Sequence, residues 1–374
     1  MNILWIPHNL RAPGRRQTDE YLIDILCKKH KIFTAYWDSF LPHTLLHLAN
    51  PCTYIKSLQK KIIKGEKEIL LKIPRIPNHK FTERVNSYLI TRACNYYIRK
   101  FNIDIVVTAS TGPYPIIPKY VPVPVVIHYV DWQGWSEEKE HYYVSRADGV
   151  ICVSEKLLER VKGINKNAVY IPNGVDINKF KNASGNRVRQ ALGIEDKYVV
   201  SIIGLTTGKS LYFIDGLKIA HKKNNKIFCL LVGDNPRVRD EYNRHPEIHG
   251  FCYYTGPVPY EEIHEYFAAT DLGLNAVDYS PLFIYGMPIK VLEYTAAGKP
   301  VITPKLPALQ NLRFPNLIFI EPEPQSLAQA ILKAIKRKRY PINKKALEQF
   351  SLESVASKFE DFLKKTVKKY ASQY

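Results

Sequence analysis

Within this 374-residue chain, the stretch whose residue types and spacing best suit chemistry is MPIKVLEYTAAGKPVI, residues 287–302. Val291, Leu292 and Thr295 can face a sheet while Lys290 and Glu293, three apart, project as neighbours from the first turn of one helix. A helix start favours phosphate because unpaired backbone N–H groups and the helix dipole both point outward there. Lys290 adds a full positive charge suited to a diphosphate. Glu293 can accept hydrogen bonds from paired ribose hydroxyls, as acidic residues do in other nucleotide sites. Ala296, Ala297 and Gly298 let the helix pack closely and then stop. The same pattern also fits a plain helix–Gly–strand step carrying a surface ion pair.

Three other places offer chemistry. HYVDWQGW, residues 128–135, follows an apolar strand, and polar residues at the carboxyl ends of parallel strands are where α/β proteins place reactive groups. Asp131 is the general-base candidate there, or else a helix cap or turn residue. His128 falls inside the strand and reads as a hydrogen-bonded core histidine. Lys209 stands at a strand-to-helix loop and is a second candidate cation for phosphate. The basic loop 13–16, Pro-Gly-Arg-Arg, has no GxGxxG and reads chiefly as a loop that can touch an anionic ligand.

The elements that position these residues alternate strand and helix. Residues 3–6, 32–37, 104–109, 123–129, 149–153 and 168–171 read as strands, with helices at 19–29, 83–100, 136–144 and after the cap Ser154. A polar stretch without periodicity, residues 181–187, separates this half from a second one with the same grammar, which ends in amphipathic helices at 326–338 and 352–370. Single cores stop growing at about 250 to 300 residues, so two domains are expected, 1–180 and 181–350, followed by a last helix in 351–374.

Composition narrows the class. Six scattered cysteines without a CxxC pair argue for reduced core thiols and a cytoplasmic setting, against a disulfide framework or a zinc site. No signal peptide is evident, and no apolar run nears the roughly 18 residues of a membrane span. The net charge is +19, and residues 56–100 hold twelve Lys or Arg against three Glu, interleaved with Ile62, Leu70, Tyr88, Tyr96 and Tyr97. That mixture suits an anionic membrane surface, a nucleic acid, or an ordinary solvated face over a core.

Six segments in order, ADGVICVSEKL, IPNGVDINKF, SIIG with Lys209, LLVGD, YYTGPVPYEEIHEYFAATDLGL and PIKVLEYTAAGKPVI, resemble the sugar-nucleotide-dependent glycosyltransferase group 1. The resemblance covers nearly the whole second half and the end of the first. It implies the GT-B fold: two Rossmann-like domains facing a central cleft, the N-terminal one binding the acceptor, the C-terminal one the nucleotide sugar, and a final helix crossing back to the first domain. It further implies that Glu293 binds ribose, that Lys290 and Lys209 lie near the diphosphate, and that residues 256–259, including Gly256 and Val258, line the base. Many members carry a Glu eight positions before the ribose Glu; Tyr285 stands there, leaving Gly286 and Met287 to offer backbone amides to sugar or phosphate. Leu205 and Thr206 follow Gly204 where the family often has an Arg, and the N-terminal Gly-Gly loop is replaced by residues 13–16. The PxKxxEY pattern is similar to that of the xanthan-type glucuronosyltransferases, which invert and use an Asp as base, a role that Asp131 fits.

The expected activity is glycosyl transfer from a UDP- or GDP-type sugar to a hydroxyl of a glycan, lipid-linked or other acceptor, with no cofactor and no metal, in the cytoplasm or at the inner face of an anionic membrane reached through residues 56–100. A sugar-nucleotide epimerase or hydrolase on the same fold is the alternative. A non-catalytic nucleic-acid-binding protein is disfavoured by the ordered motifs.

Overall fold

The computed structural model describes residues 1–7, 18–38, 61–62, 68–74, 83–109, 118–132, 135–205, 211–337 and 339–372. They form two compact α/β units, one holding the described residues up to Pro172 together with those from Val355, the other Asn173–Ser354.

The first unit is built on β1 (Asn2–Ile6), β2 (Lys31–Asp38), β3 (Lys61–Ile62), β4 (Glu68–Pro74), β5 (Ile105–Ala109), β6 (Val125–Tyr129), β7 (Gly149–Cys152) and β8 (Ala168–Tyr170). Their order is β3-β4-β2-β1-β5-β6-β7-β8, and the described pairings are parallel except β3 with β4. A strand that must return parallel to its neighbour needs a crossover, and a helix supplies it while covering a face of the sheet. Every residue of β5 and β6 is buried accordingly. Helix Glu83–Phe101 lays Ile90, Cys94, Tyr97 and Ile98 on Leu4, Phe33 and Val106. The other face takes Leu22, Ile23 and Leu26 of helix Thr18–Leu26 together with Val355, Ala356, Phe359 and Leu363, which pack against Ile3, Trp5 and Ile151. The last helix, Leu352–Ala371, thus returns to the first unit's core as expected.

The second unit carries β9 (Tyr198–Ile203), β10 (Ile227–Val232), β11 (Cys252–Tyr254), β12 (Leu272–Leu274), β13 (Val301–Pro304) and β14 (Leu317–Ile320). The order is β11-β10-β9-β12-β13-β14, all parallel. The chain winds outward from β9 to β10 and β11 on one side, then to β12, β13 and β14 on the other. Between β9 and β12 lies the topological switch point, where open α/β sheets leave a crevice at the carboxyl ends of their strands.

Two sequence readings change. The units divide between Pro172 and Asn173, ahead of residue 180. The Val175 amide bonds to the Phe350 carbonyl at 2.8 Å, and Phe180 stands edge-on to Phe267 at 5.0 Å, which ties residues 173–181 to the second unit. Residues 68–74, read only as part of a basic segment, form β4, paired with β2 in the sheet. Lysines at 67 and 72 break up the apolar run that marks a strand. The described cysteines Cys27, Cys94, Cys152, Cys229 and Cys252 are buried.

Candidate functional site

Helix Ile289–Ala296 follows β12 and sits at the switch point of the second unit. Its seat is set by Tyr294, whose hydroxyl bonds to Ser201 Oγ and the Ser201 carbonyl, each at 2.9 Å, and accepts from the Ile203 amide at 3.1 Å. The ring lies flat against β12 because residue 273 is glycine; a Cβ there would stand 2.6 Å from the Tyr294 ring. At its other end the helix closes with the Lys299 amide on the Tyr294 carbonyl and the Gly298 amide on the Thr295 carbonyl, a Schellman stop. These contacts seat the helix that carries Lys290 and Glu293 against β9 and β12.

The strands opposite end in glycines. Gly204 after β9 and Gly256 after β11 have φ of +64° and +68°, a left-handed turn that a Cβ resists. The Gly233 amide donates to the Gly256 carbonyl at 3.1 Å and so joins the ends of β10 and β11. Lys290 reaches across this floor and its Nζ donates to the Gly204 carbonyl at 2.5 Å. Burial lowers its ammonium to about 8, while Glu293 pulls the other way. The Glu293 carboxyl is pushed up to about 7 by burial, against the attraction of Lys290 and then of Lys179. Its carboxylate makes no hydrogen bond or ion pair to another described residue. A half-buried cation beside a half-buried carboxylate suits a ligand that brings both an anion and hydroxyl donors.

Gly286 and Met287 are buried just before this helix, and the Met287 carbonyl accepts from Asn173 Nδ2 at 3.0 Å. The buried Asn173 Oδ1 has no partner among the described residues. Val258 is half-buried in the segment that runs from Gly256 to Tyr260. Lys209 lies outside the described residues, as do residues 13–16. Lys290, Glu293, Gly286, Met287, Gly256 and Val258 all belong to the second unit. Sequence reading missed Lys179, Asn173 and Tyr260, whose part comes from tertiary packing; the one signal was that Asn173 and Lys179 fall inside IPNGVDINKF.

Asp131 belongs to the first unit, two residues beyond β6. It is half-buried, and burial raises its carboxyl to about 6, with His128 pulling it back. His128 is the core histidine that the strand position implied. Its Nδ1 lies 2.8 Å from Asp19 Oδ1, and its ring meets Trp5 and Phe359 edge-on at 6.3 and 5.2 Å. Nearby, the buried Glu140 is fully engaged by the Tyr129 hydroxyl at 2.6 Å and by Arg160 at 2.7 Å, which makes it a structural carboxylate.

A family model described as "Glycosyl transferases group 1" matches residues 198–337, and a second, "Glycosyltransferase Family 4", matches residues 56–179. A Bacillus subtilis protein named as a teichuronic acid biosynthesis glycosyltransferase, TuaH, is 28% identical over 180 residues, 46% of this chain. The match spans 44% of that relative's length. Among solved structures, a Rickettsia africae glycosyltransferase aligns with a TM-score of 0.74 at 19% identity over 98% of both chains. Anabaena HepE in complex with UDP-glucose aligns with a TM-score of 0.68 at 17% identity, over 98% of this chain and 100% of that one. These likenesses show the GT-B fold.

Proposed function

Because this chain belongs to the group 1 glycosyltransferases, we propose that it moves a sugar from a nucleoside diphosphate sugar to a hydroxyl acceptor, and that the second unit is the donor site. The observation that carries the reading is the seating of Lys290 and Glu293 at the switch point, above strand ends that turn through glycine. Glu293 takes the ribose hydroxyls, Lys290 the diphosphate, and the segment at Gly256 and Val258 the base. The backbone at Gly286 and Met287 faces sugar or phosphate, and Lys209 is a second cation for the leaving group. The UDP-glucose held by the Anabaena neighbour supports a uridine donor.

In the reaction the acceptor oxygen attacks the anomeric carbon as the bond from that carbon to the diphosphate oxygen breaks. Lys290 and the nearby amides stabilise the charge that gathers on the leaving diphosphate. Asp131 takes the hydroxyl proton in an inverting transfer. Its raised carboxyl fits that task, since a base near the working pH combines adequate ionisation with adequate basicity.

The acceptor is a glycan or lipid-linked hydroxyl met at an anionic membrane surface. Among the described residues no helix is long and apolar enough to cross a membrane. Support for surface binding is a line of residues at four-residue spacing on helix Glu83–Phe101. Arg92 lies over the Tyr88 ring at 5.9 Å, and Lys100 lies over the Tyr96 ring at 5.3 Å. Tyr88 is 52% exposed, and Tyr120, tied to Asn95 through its carbonyl, is 57% exposed. Tyrosines flanked by cations suit a headgroup layer. Residues 56–60, 63–67 and 75–82 of the basic segment lie outside the described residues.

Incubation with UDP-, GDP- and ADP-sugars, with and without hydroxyl acceptors, tests the activity by chromatography of the products. Release of nucleoside diphosphate that depends on acceptor supports transfer. Conversion to a different nucleotide sugar without acceptor supports the epimerase alternative.

A further inference from the structure

Lys179 stands where three parts of the second unit meet. It belongs to helix Ile177–Lys181, which packs beside helix Ile289–Ala296. Asp176 caps the short helix by accepting from the Lys179 amide at 3.0 Å, and Phe180, packed on Phe267, fixes its rotation. The Lys179 Nζ donates to the Tyr260 carbonyl at 3.1 Å and lies 3.7 Å from the centre of the Tyr260 ring. A cation this close to an aromatic face, itself half-buried, is strongly oriented. The Glu293 carboxylate feels this charge as well as that of Lys290.

We propose that Lys179 is a positioning residue of the donor site: clamped on Tyr260, it supplies the counter-charge that lets Glu293 accept both ribose hydroxyls, and it fixes the 256–260 segment beside them. The inference rests on the donor-site reading of Glu293. Of the elements packed against helix Ile289–Ala296, Ile177–Lys181 also carries Lys181, Lys344–Glu348 carries Lys344, Lys345 and Glu348, and Val301–Pro304 carries no charge. Among the described residues, the charges that favour the ionised carboxylate are Lys290 from its own helix and Lys179 from the neighbouring one. Lys290 is already committed to the Gly204 carbonyl and to the expected position of phosphate. Ribose recognition then depends on Lys179.

Calorimetric titration of the full chain with UDP and GDP and their 2′-deoxy forms, across about pH 6 to 9, tests this with Lys179→Met, Lys179→Gln and Lys179→Arg. Gln keeps a donor for the Tyr260 carbonyl but no charge, and so separates the clamp from the counter-charge. Lys179→Met and Lys179→Gln should weaken ribonucleotide binding about tenfold near neutral pH, erase the preference over the deoxy form, and recover when pH is raised by about one unit. Lys179→Arg should stay close to wild type. Unchanged pH dependence and ribose preference in folded Lys179→Met and Lys179→Gln would overturn this inference alone. Absence of any ribonucleotide binding by the wild type overturns the donor-site reading and this inference with it.

Discussion

The Lys290 ammonium donates to the Gly204 carbonyl at 2.5 Å, so the cation of one helix rests on the turn that ends the neighbouring strand. The contact holds the charge in place before any ligand arrives, and its cost is desolvation, which lowers the ammonium to about 8. A diphosphate entering there meets a cation already aimed, with less side-chain entropy to lose than a free surface lysine has.

Binding of UDP or GDP should follow a bell in pH. Glu293, raised to about 7, loses its acceptor charge as pH falls through that value, and Lys290, lowered to about 8, loses its proton as pH rises through that one. Calorimetry at constant ionic strength reads both limbs. Lys290→Gln should flatten the alkaline limb and weaken binding roughly 10- to 100-fold, the equivalent of one charge-assisted hydrogen bond. A profile that is flat between pH 6 and 9 contradicts the assignment of both residues.

Gly273→Ala tests the bracket that seats the helix. Its Cβ would stand 2.6 Å from the Tyr294 ring, and overpacking of this kind costs about 1–3 kcal/mol. Tyr294→Phe removes the acceptor of the buried Ile203 amide and a partner of Ser201, for a loss of about 1–3 kcal/mol. Urea melts measure both. Wild-type melts for the two variants would mean that the helix is seated by something else.

The alternating strands and helices of both units, the returning last helix and the placement of Lys290 with Glu293 at one helix start were legible because local patterns carry them. Strand and helix alternate in the chain, and the pair sits three apart on a strongly apolar helix. Lys179 was not legible, since its importance comes from a contact with Tyr260, far along the chain, and from the electrostatics of a burial that sequence does not display. The strand at 68–74 was hidden for a different reason: flanking lysines matched a surface pattern while the pairing with β2 decided the structure. The domain boundary was read from polarity, but Phe180 and Val175 anchor residues that look like a linker.

If Asp131 is the proposed base for the acceptor hydroxyl, Asp131→Asn should abolish transfer and leave nucleoside diphosphate affinity within about twofold. The wild-type rate should climb as pH rises through about 6, where the carboxyl ionises. A variant that keeps its rate would assign the proton to another acceptor, or the reaction to retention.

Charge reversal at Arg92 and Lys100 should release the protein from vesicles containing anionic lipid, by about 1 kcal/mol for each basic residue lost, and leave nucleotide binding unchanged. Sedimentation with phosphatidylglycerol vesicles at low and high salt measures it. Equal binding of the double variant and the wild type would remove this helix from the membrane account.

The most direct test of the donor-site claim is calorimetric titration of the wild type and of Glu293→Ala with UDP, GDP and ADP near pH 7.5. One diphosphate should bind to the wild type and lose at least about tenfold in affinity in the variant, as expected for removal of the carboxylate proposed to hold the ribose. Equal affinity in the two proteins would contradict the assignment of Glu293, and no binding of any diphosphate by folded wild-type protein would contradict the donor site as a whole.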